Sequence, residues 1–139
     1  MDLNEYIDYV SVFHANQQRK GGEAFVNHLY RVCDAVETER AKKIALIHDV
    51  FEDTHYHPTD LKWLGFEKDV IEGALILTKQ TDETYFQYVQ RIIDSEDRDV
   101  INVKVADTED NLATVDLLLG ADWMRKRYER SLKLLKEAT

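Results

Sequence analysis

The sequence predicts an all-α fold, a compact single domain over residues 1–139 built as a bundle of about seven or eight helices. Three observations carry this. Apolar residues recur at three- and four-residue spacing along most of the chain. Five glycines and one proline are too few for the many turns of an all-β fold. The breaks between periodic stretches are short, as antiparallel helices in a bundle require. The length suits one domain with a core that needs no disulfide or structural metal. An apolar fraction of 44% argues against disorder.

Residues 2–17 place Leu3, Tyr6, Ile7, Val10 and Phe13 at helical spacing, and Gly21-Gly22 breaks the chain. Residues 24–36 resume the pattern with Phe25, Val26, Leu29, Val32 and Val36. Glu39 to Phe51 turns Ala41, Ile44, Ala45, Ile47 and Phe51 inward; its broad apolar face marks it as the central helix. After a polar break at 54–58, Thr59 is the expected N-cap of a short helix to Leu64, stopped by Gly65. Glu67 to Leu77 follows, then a loop with a cap at Asp82 or Thr84, then a helix from Tyr85 to Ile93. Asp99 to Leu119 reads as one long helix ended by Gly120, and Asp122 to Lys136 closes the fold. Within the long helix, VINVKVAD alternates like a strand, but a lone strand has nothing to pair with.

The net charge of −9 excludes broad nucleic-acid binding, which needs a positive surface. A local pair such as Arg19-Lys20 still attracts phosphate within an acidic protein. The single cysteine, Cys33, forms no intrachain disulfide and reads as a small buried hydrophobe. The N-terminus lacks the basic region of a signal peptide, and no apolar run approaches the roughly 18 residues of a membrane span. The expectation is a soluble cytoplasmic protein.

The chemistry concentrates in HDVFED, residues 48–53. On a continuous helix His48 lies over Glu52 and Asp49 over Asp53. These groups end what should be the most buried helix, where charge is costly unless paired or metal-bound. An imidazole beside a carboxylate suits a divalent cation. Acids at a helix C-terminus also oppose its dipole, so something other than helix stability keeps them there. Two further candidate ligands stand out. Asp107 emerges from the apolar VINVKVA stretch with Asn111 one turn on, and His28 is a polar residue on the apolar helix AFVNHLYRV.

The strings FHANQQRKGGEAFVNHLYRV, ALIHDVFEDT and VKVADTEDNLATVDL together resemble the HD hydrolase domain of the RelA/SpoT family, in particular its small stand-alone alarmone hydrolases. LTKQTDETYFQYVQRI is similar to a segment of the small members. The resemblance covers residues 10–118. It implies that His28, His48, Asp49 and Asp107 bind one divalent ion, usually manganese in that family. It implies that Glu52 and Asp53 are the catalytic acidic pair, and that Arg19, Lys20, Asn111 and Thr114 line a nucleotide pocket. The implied reaction removes the 3′-pyrophosphate of guanosine tetra- or pentaphosphate. The chain departs from the family pattern at Phe25, commonly Tyr, at Leu29, often Pro, and at Glu109-Asp110, where a more basic or neutral pair is usual.

Two imidazoles and two carboxylates suit manganese, iron or zinc. Glu52 and Asp53 are placed to orient water and move its proton. Arg19 suits phosphate or a base face, and Asn111 suits nucleoside contacts. Two other readings stay open: an HD phosphatase acting on a deoxynucleotide or a phosphorylated dinucleotide cofactor, and a non-catalytic nucleotide-binding module. His14, His55 and His57 are expected in solvent-facing or loop positions, Lys42-Lys43 and the basic face of the last helix in solvent, and Trp63 and Trp123 in the core or against a partner.

Overall fold

The computed structural model describes residues 1–115 and 121–139. Among the described residues there are nine helices: α1 Leu3–Phe13, α2 Phe25–Asp34, α3 Glu39–Ile47, α4 Val50–Asp53, α5 Pro58–Leu64, α6 Lys68–Ile76, α7 Tyr85–Asp94, α8 Arg98–Thr114 and α9 Ala121–Glu137. The expected helical stretch 116–119 and the Gly120 stop lie outside the described residues. VINVKVAD is helical, as expected. The helix count exceeds the predicted seven or eight because the predicted helix 39–51 is interrupted at His48-Asp49, which leaves a separate turn at α4.

Most helix starts follow from local chemistry. Asp2 and Glu5 form a capping box on α1, and Thr84 and Gln87 form another on α7. Thr38 and Asp97 cap α3 and α8 with side-chain oxygens. Thr59 is not the cap of α5. That helix begins with Pro58, whose fixed φ suits a first turn, and Asp60 accepts a 2.8 Å hydrogen bond from the backbone N–H of His57. Gly65, at φ 98°, supplies the left-handed residue that ends it.

The first helix is shorter than its periodicity predicts. It ends at Phe13, because residues 17–25 fold into a small hairpin that returns the chain to α2. Phe25 N–H donates to Gln17 O at 3.0 Å, Arg19 N–H to Glu23 O at 2.8 Å, and Gly22 N–H to Arg19 O at 3.0 Å. Gly21 and Gly22 take φ of 102° and 91° at its tip, a conformation L side chains rarely adopt.

The core is continuous. α3 packs against α1, α2, α6 and α8, and α8 packs in turn against α2, α6, α7 and α9. Tyr6, Leu29, Val32, Ile44, Ile47, Leu61, Leu77, Ile92 and Leu135 are fully buried. Lys42 and Lys43 are not a free solvated face. Lys42 donates to Cys33 O at 3.1 Å, and Lys43 pairs with Glu67 at 3.2 Å and donates to Met1 O. Trp63 is not core, at 90% exposed, and Trp123 is also exposed. The basic side of α9 is partly covered: Arg127 and Arg130 lie over the rings of Tyr85 and Phe86 at 4.6 and 4.0 Å. No helix among the described residues is long and apolar enough to cross a membrane.

α6 meets α3 at Gly73, where an added Cβ would meet Cδ1 and Cγ1 of the fully buried Ile44 at 2.6 and 3.0 Å. Alanine in an open helix stabilises by roughly 0.5–1 kcal/mol relative to glycine. Here overpacking reverses the sign. Gly73→Ala should destabilise by about 1–3 kcal/mol in chemical denaturation. A stabilised variant would show that the two helices separate freely at this point.

Candidate metal centre

Three parts of the fold meet at one point. α2 presents His28, the break after α3 presents His48 and Asp49, and α8 presents Asp107. One ligand atom from each of these side chains lies within 4.8 Å of the others. Three of the four are buried, and Asp49 is partly exposed.

The orientation of each group is fixed from behind. His28 Nδ1 is 2.6 Å from Asp110 Oδ2, so the ring donates there and turns Nε2 toward Asp107 Oδ1, 2.8 Å away. His48 Nδ1 donates to the carbonyl of Ala45 at 2.5 Å, and its Nε2 faces the same Asp107 oxygen at 3.1 Å and Asp49 Oδ2 at 3.2 Å. Both imidazoles therefore aim Nε2 at a single carboxylate oxygen. The other oxygen of Asp107 accepts from Lys104 Nζ at 2.9 Å.

The break at His48-Asp49 changes the expected facing. Glu52 and Asp53 fall in the first turn of α4 and not at the C-terminus of a longer helix. Asp53 is the last residue of the four-residue α4, so the opposition expected from the dipole of a long helix is reduced to that of a single turn. Asp53 N–H still donates to Asp49 O at 2.9 Å, so the acid pair stays one turn beyond the cluster.

Charge burial shapes the protonation of the cluster. Burial disfavours a charged His48, but Asp49 and Asp107 outweigh it and hold its pKa well above the usual imidazole range. Burial likewise opposes a charged Lys104, and Asp107 overrides it. Asp107 is held well below the ordinary carboxylate range: burial works against this, and Lys104 and His48 prevail. Glu52 is raised by partial desolvation and by the Asp49 charge. Asp53 is pushed up to about 6 by desolvation and by Asp49 and Glu52. Glu52 Oε1 also accepts the backbone N–H of Lys79 at 2.5 Å, which fixes one of its oxygens.

The donor set fits a divalent cation: two imidazole nitrogens anchored at their far side and two carboxylates, converging at hydrogen-bond distances. A cation would take the place of the proton that His48 Nε2 shares with Asp49 and Asp107.

A cavity of about 850 Å³ opens onto the cluster, and every predicted site residue lines it except His48, which is buried. Arg19 sits on its wall at the hairpin start, donating to Asn111 Oδ1 at 2.9 Å and Asp110 Oδ2 at 3.2 Å. Lys20 is exposed beside it. Thr114 Oγ1 bonds back to the carbonyl of Asp110 at 3.1 Å.

Four participants were not read from the sequence. Lys104 and Tyr128 line the cavity. Asp110 orients His28. His14, expected in solvent, is 2% exposed; its Nδ1 meets Gln17 Oε1 at 2.7 Å, and the Gln17 amide donates to the carbonyl of Asp53. Lys104 did leave a signal, as a cation three residues before Asp107 in an apolar run. His55 and His57 are exposed, as expected.

Comparison with known proteins agrees with this geometry. The HD domain family matches residues 22–134. A solved structure described as a metazoan ortholog of SpoT that hydrolyzes ppGpp and plays a role in starvation responses superposes with a TM-score of 0.78. It is 24% identical, over 98% of this chain and 84% of that one, a likeness of fold. A search of curated proteins found no match. With that family match spanning most of the chain and a His/Asp cluster suited to a divalent ion beneath the cavity, the chain belongs to the HD-domain family and is a metal-dependent hydrolase.

Proposed function

We propose that the chain is a single-domain nucleotide phosphohydrolase of the cytoplasm that converts guanosine-3′,5′-bis(diphosphate) to GDP and pyrophosphate. The observation that carries this reading is the cavity itself. Ligand-type side chains form its floor, and Arg19, Lys20 and Asn111 stand on its wall. The SpoT ortholog of the same fold supports the choice of substrate.

In this reading His28 Nε2, His48 Nε2, Asp49 and Asp107 hold one divalent ion, manganese. The ion would supply a Lewis acid beside the scissile phosphate and lower the pKa of water in the site. Glu52, with one oxygen fixed by Lys79 N–H, orients the attacking water and takes its proton at the other oxygen. Asp53, with its pKa pushed up to about 6, exchanges that proton close to neutral pH. Arg19 binds phosphate through its planar fork, Lys20 adds charge at the mouth, and Asn111 and Thr114 contact the nucleoside.

His48→Ala and Asp107→Ala should each abolish stoichiometric manganese uptake. Asp110→Asn should lower metal affinity by about 10- to 100-fold, because His28 loses its orienting carboxylate. Parent-like manganese content in all of these variants would place the ion elsewhere.

The pH dependence has a definite sign. In the metal-free fold His48 holds a proton above its ordinary value of 6.5. That stabilisation is full below 6.5 and is lost as pH rises through the folded pKa. Metal entry requires the same nitrogen to be free, so it releases a proton. The gain in Tm on adding manganese should therefore be larger at pH 8 than at pH 6. A gain independent of pH would remove His48 from the ligand set.

Glu52→Gln should keep the metal and lose turnover by about 100- to 10,000-fold. Near-normal kcat would reassign the base to Asp53.

Product analysis tests the substrate. Pyrophosphate released in one step, together with GDP, is the expected result, and Arg19→Ala should raise KM with metal retained. Inactivity of the manganese-loaded protein on this substrate, alongside turnover of a deoxynucleotide or a dinucleotide phosphate, would replace it.

A further inference from the structure

We propose that Lys104 is a second cation of the reaction centre, binding a phosphoryl oxygen of the substrate beside the metal. The proposal rests on the phosphohydrolase reading and assigns Lys104 a role in it.

The geometry begins with Asp107, whose two oxygens face different ways. Oδ1 meets His28 and His48 at 2.8 and 3.1 Å, and Oδ2 accepts from Lys104 Nζ at 2.9 Å. One carboxylate thus sets an ammonium beside the position where the four ligand atoms converge. Lys104 also lines the cavity that contains Arg19, Asp49 and Glu52, although its side chain is only 9% exposed. An ammonium has three N–H donors. Among the described residues Asp107 is the one hydrogen-bond acceptor of Lys104 Nζ. The rings of Tyr88 and Tyr85, at 5.0 and 6.0 Å, shield the ammonium without accepting a conventional hydrogen bond. A buried cation with unused donors on the wall of a cavity is suited to an anionic oxygen.

The charge balance of the cavity floor gives that oxygen a reason to go there. Asp49, Glu52, Asp53 and Asp107 all line it. A divalent ion is offset by Asp49 and Asp107, and the remaining acids repel an incoming phosphate. Arg19, which binds phosphate in this reading, is held on the wall by Asp110 and Asn111. Phosphoryl-transfer enzymes often meet this demand with two metal ions that clamp the reacting group. The described residues form one metal-suited cluster. Lys104 supplies a second positive charge, held in place by the fold and next to the first.

A mere buttress of Asp107 makes a different prediction, which separates the two. Removing a buttress weakens metal binding. Removing a neighbouring cation leaves metal binding unchanged or tighter and weakens the anion. Manganese affinity, and the affinity of manganese-loaded protein for inorganic pyrophosphate, should be measured by calorimetry for the parent, Lys104→Met and Lys104→Arg. The expected result for Lys104→Met is full manganese stoichiometry with affinity equal to or above the parent. Its pyrophosphate affinity and kcat should each fall by about tenfold or more. Lys104→Arg should recover part of the pyrophosphate affinity.

Pyrophosphate binding as tight in Lys104→Met as in the parent overturns the proposal and leaves the phosphohydrolase reading intact. A parallel loss of manganese affinity does the same. Pyrophosphate binding to no form of the protein, with manganese bound, overturns the Lys104 assignment, whereas absence of turnover by the manganese-loaded parent overturns the phosphohydrolase reading. Should Lys104→Met fail to fold, the unaltered protein decides. With diamagnetic zinc in the site, pyrophosphate should shift the Lys104 ε-ammonium ¹⁵N resonance, and an unmoved resonance at saturation overturns the assignment.

Discussion

The structure turns on the burial of one carboxylate. Asp107 is 5% exposed, on a helix whose neighbouring positions Val103, Ala106 and Thr108 are also buried. A carboxylate in that setting is strongly destabilising unless its oxygens are paired. Each oxygen is. Two imidazoles converge on Oδ1, and Lys104 holds Oδ2. Those partners must themselves be anchored, and the anchors tie the helices together. His28 is backed by Asp110, and His48 by the carbonyl of Ala45. α2, α3 and α8 are therefore locked by packing and by this polar hub at once. Satisfied networks of this kind specify one arrangement of a core, and a half-satisfied one would be worse than an apolar core.

The break after α3 follows from the same demand. Successive residues on an α-helix point about 100° apart, since a turn takes 3.6 residues. His48 and Asp49 cannot both face one point from a regular helix. The backbone departs from helical geometry at Asp49, with φ −101° and ψ 0°, in the sparsely populated bridge region where many functional residues sit. That departure brings Asp49 alongside His48 and starts α4 afresh, with Glu52 and Asp53 turned onto the cavity. The backbone is bent by the site, against the preference of an apolar helical run.

This explains what the sequence made legible and what it hid. The helices were readable because their apolar spacing is strong and their caps are local. Even VINVKVAD, with its strand-like alternation, resolves once its lack of a pairing partner is considered. His28, His48, Asp49 and Asp107 stood out as candidates because polar groups interrupt apolar faces, and the family resemblance joined them into one set. The break at His48-Asp49 was not legible, because nothing in ALIHDVFED disfavours a continuous helix. What stops the helix is a tertiary requirement carried by residues some 20 and 60 positions away. His14 misled for a related reason. It follows the last apolar residue of α1 and reads as solvent-facing, yet the hairpin 17–25 returns the chain beside it, and it is buried against Phe25. Lys104 was passed over because a charge on a long helix usually faces water.

Asp110 shows how the same residue changes meaning between sequence and structure. Read in line, Glu109-Asp110 places two extra acids beside a pocket meant for a polyanion. In the fold the two part ways. Glu109 is exposed, 3.8 Å from Lys136 on α9. Asp110 turns inward and is surrounded by donors: His28 at 2.6 Å, Arg31 at 2.6 Å and Arg19 at 3.2 Å. Arg31 is held in turn by Glu23, from the hairpin that also carries Arg19. Its carboxylate is held below its ordinary range: burial opposes this, and Arg31 and His28 outweigh it. A group so fully paired presents little free negative charge to the cavity. Its effect is to aim His28 and to hold Arg19 on the wall. The acid that looked adverse to an anionic substrate thereby joins the guanidinium that would meet the phosphate to the imidazole that would meet the ion. A shift of either one changes the hydrogen bonding of the other through a single carboxylate.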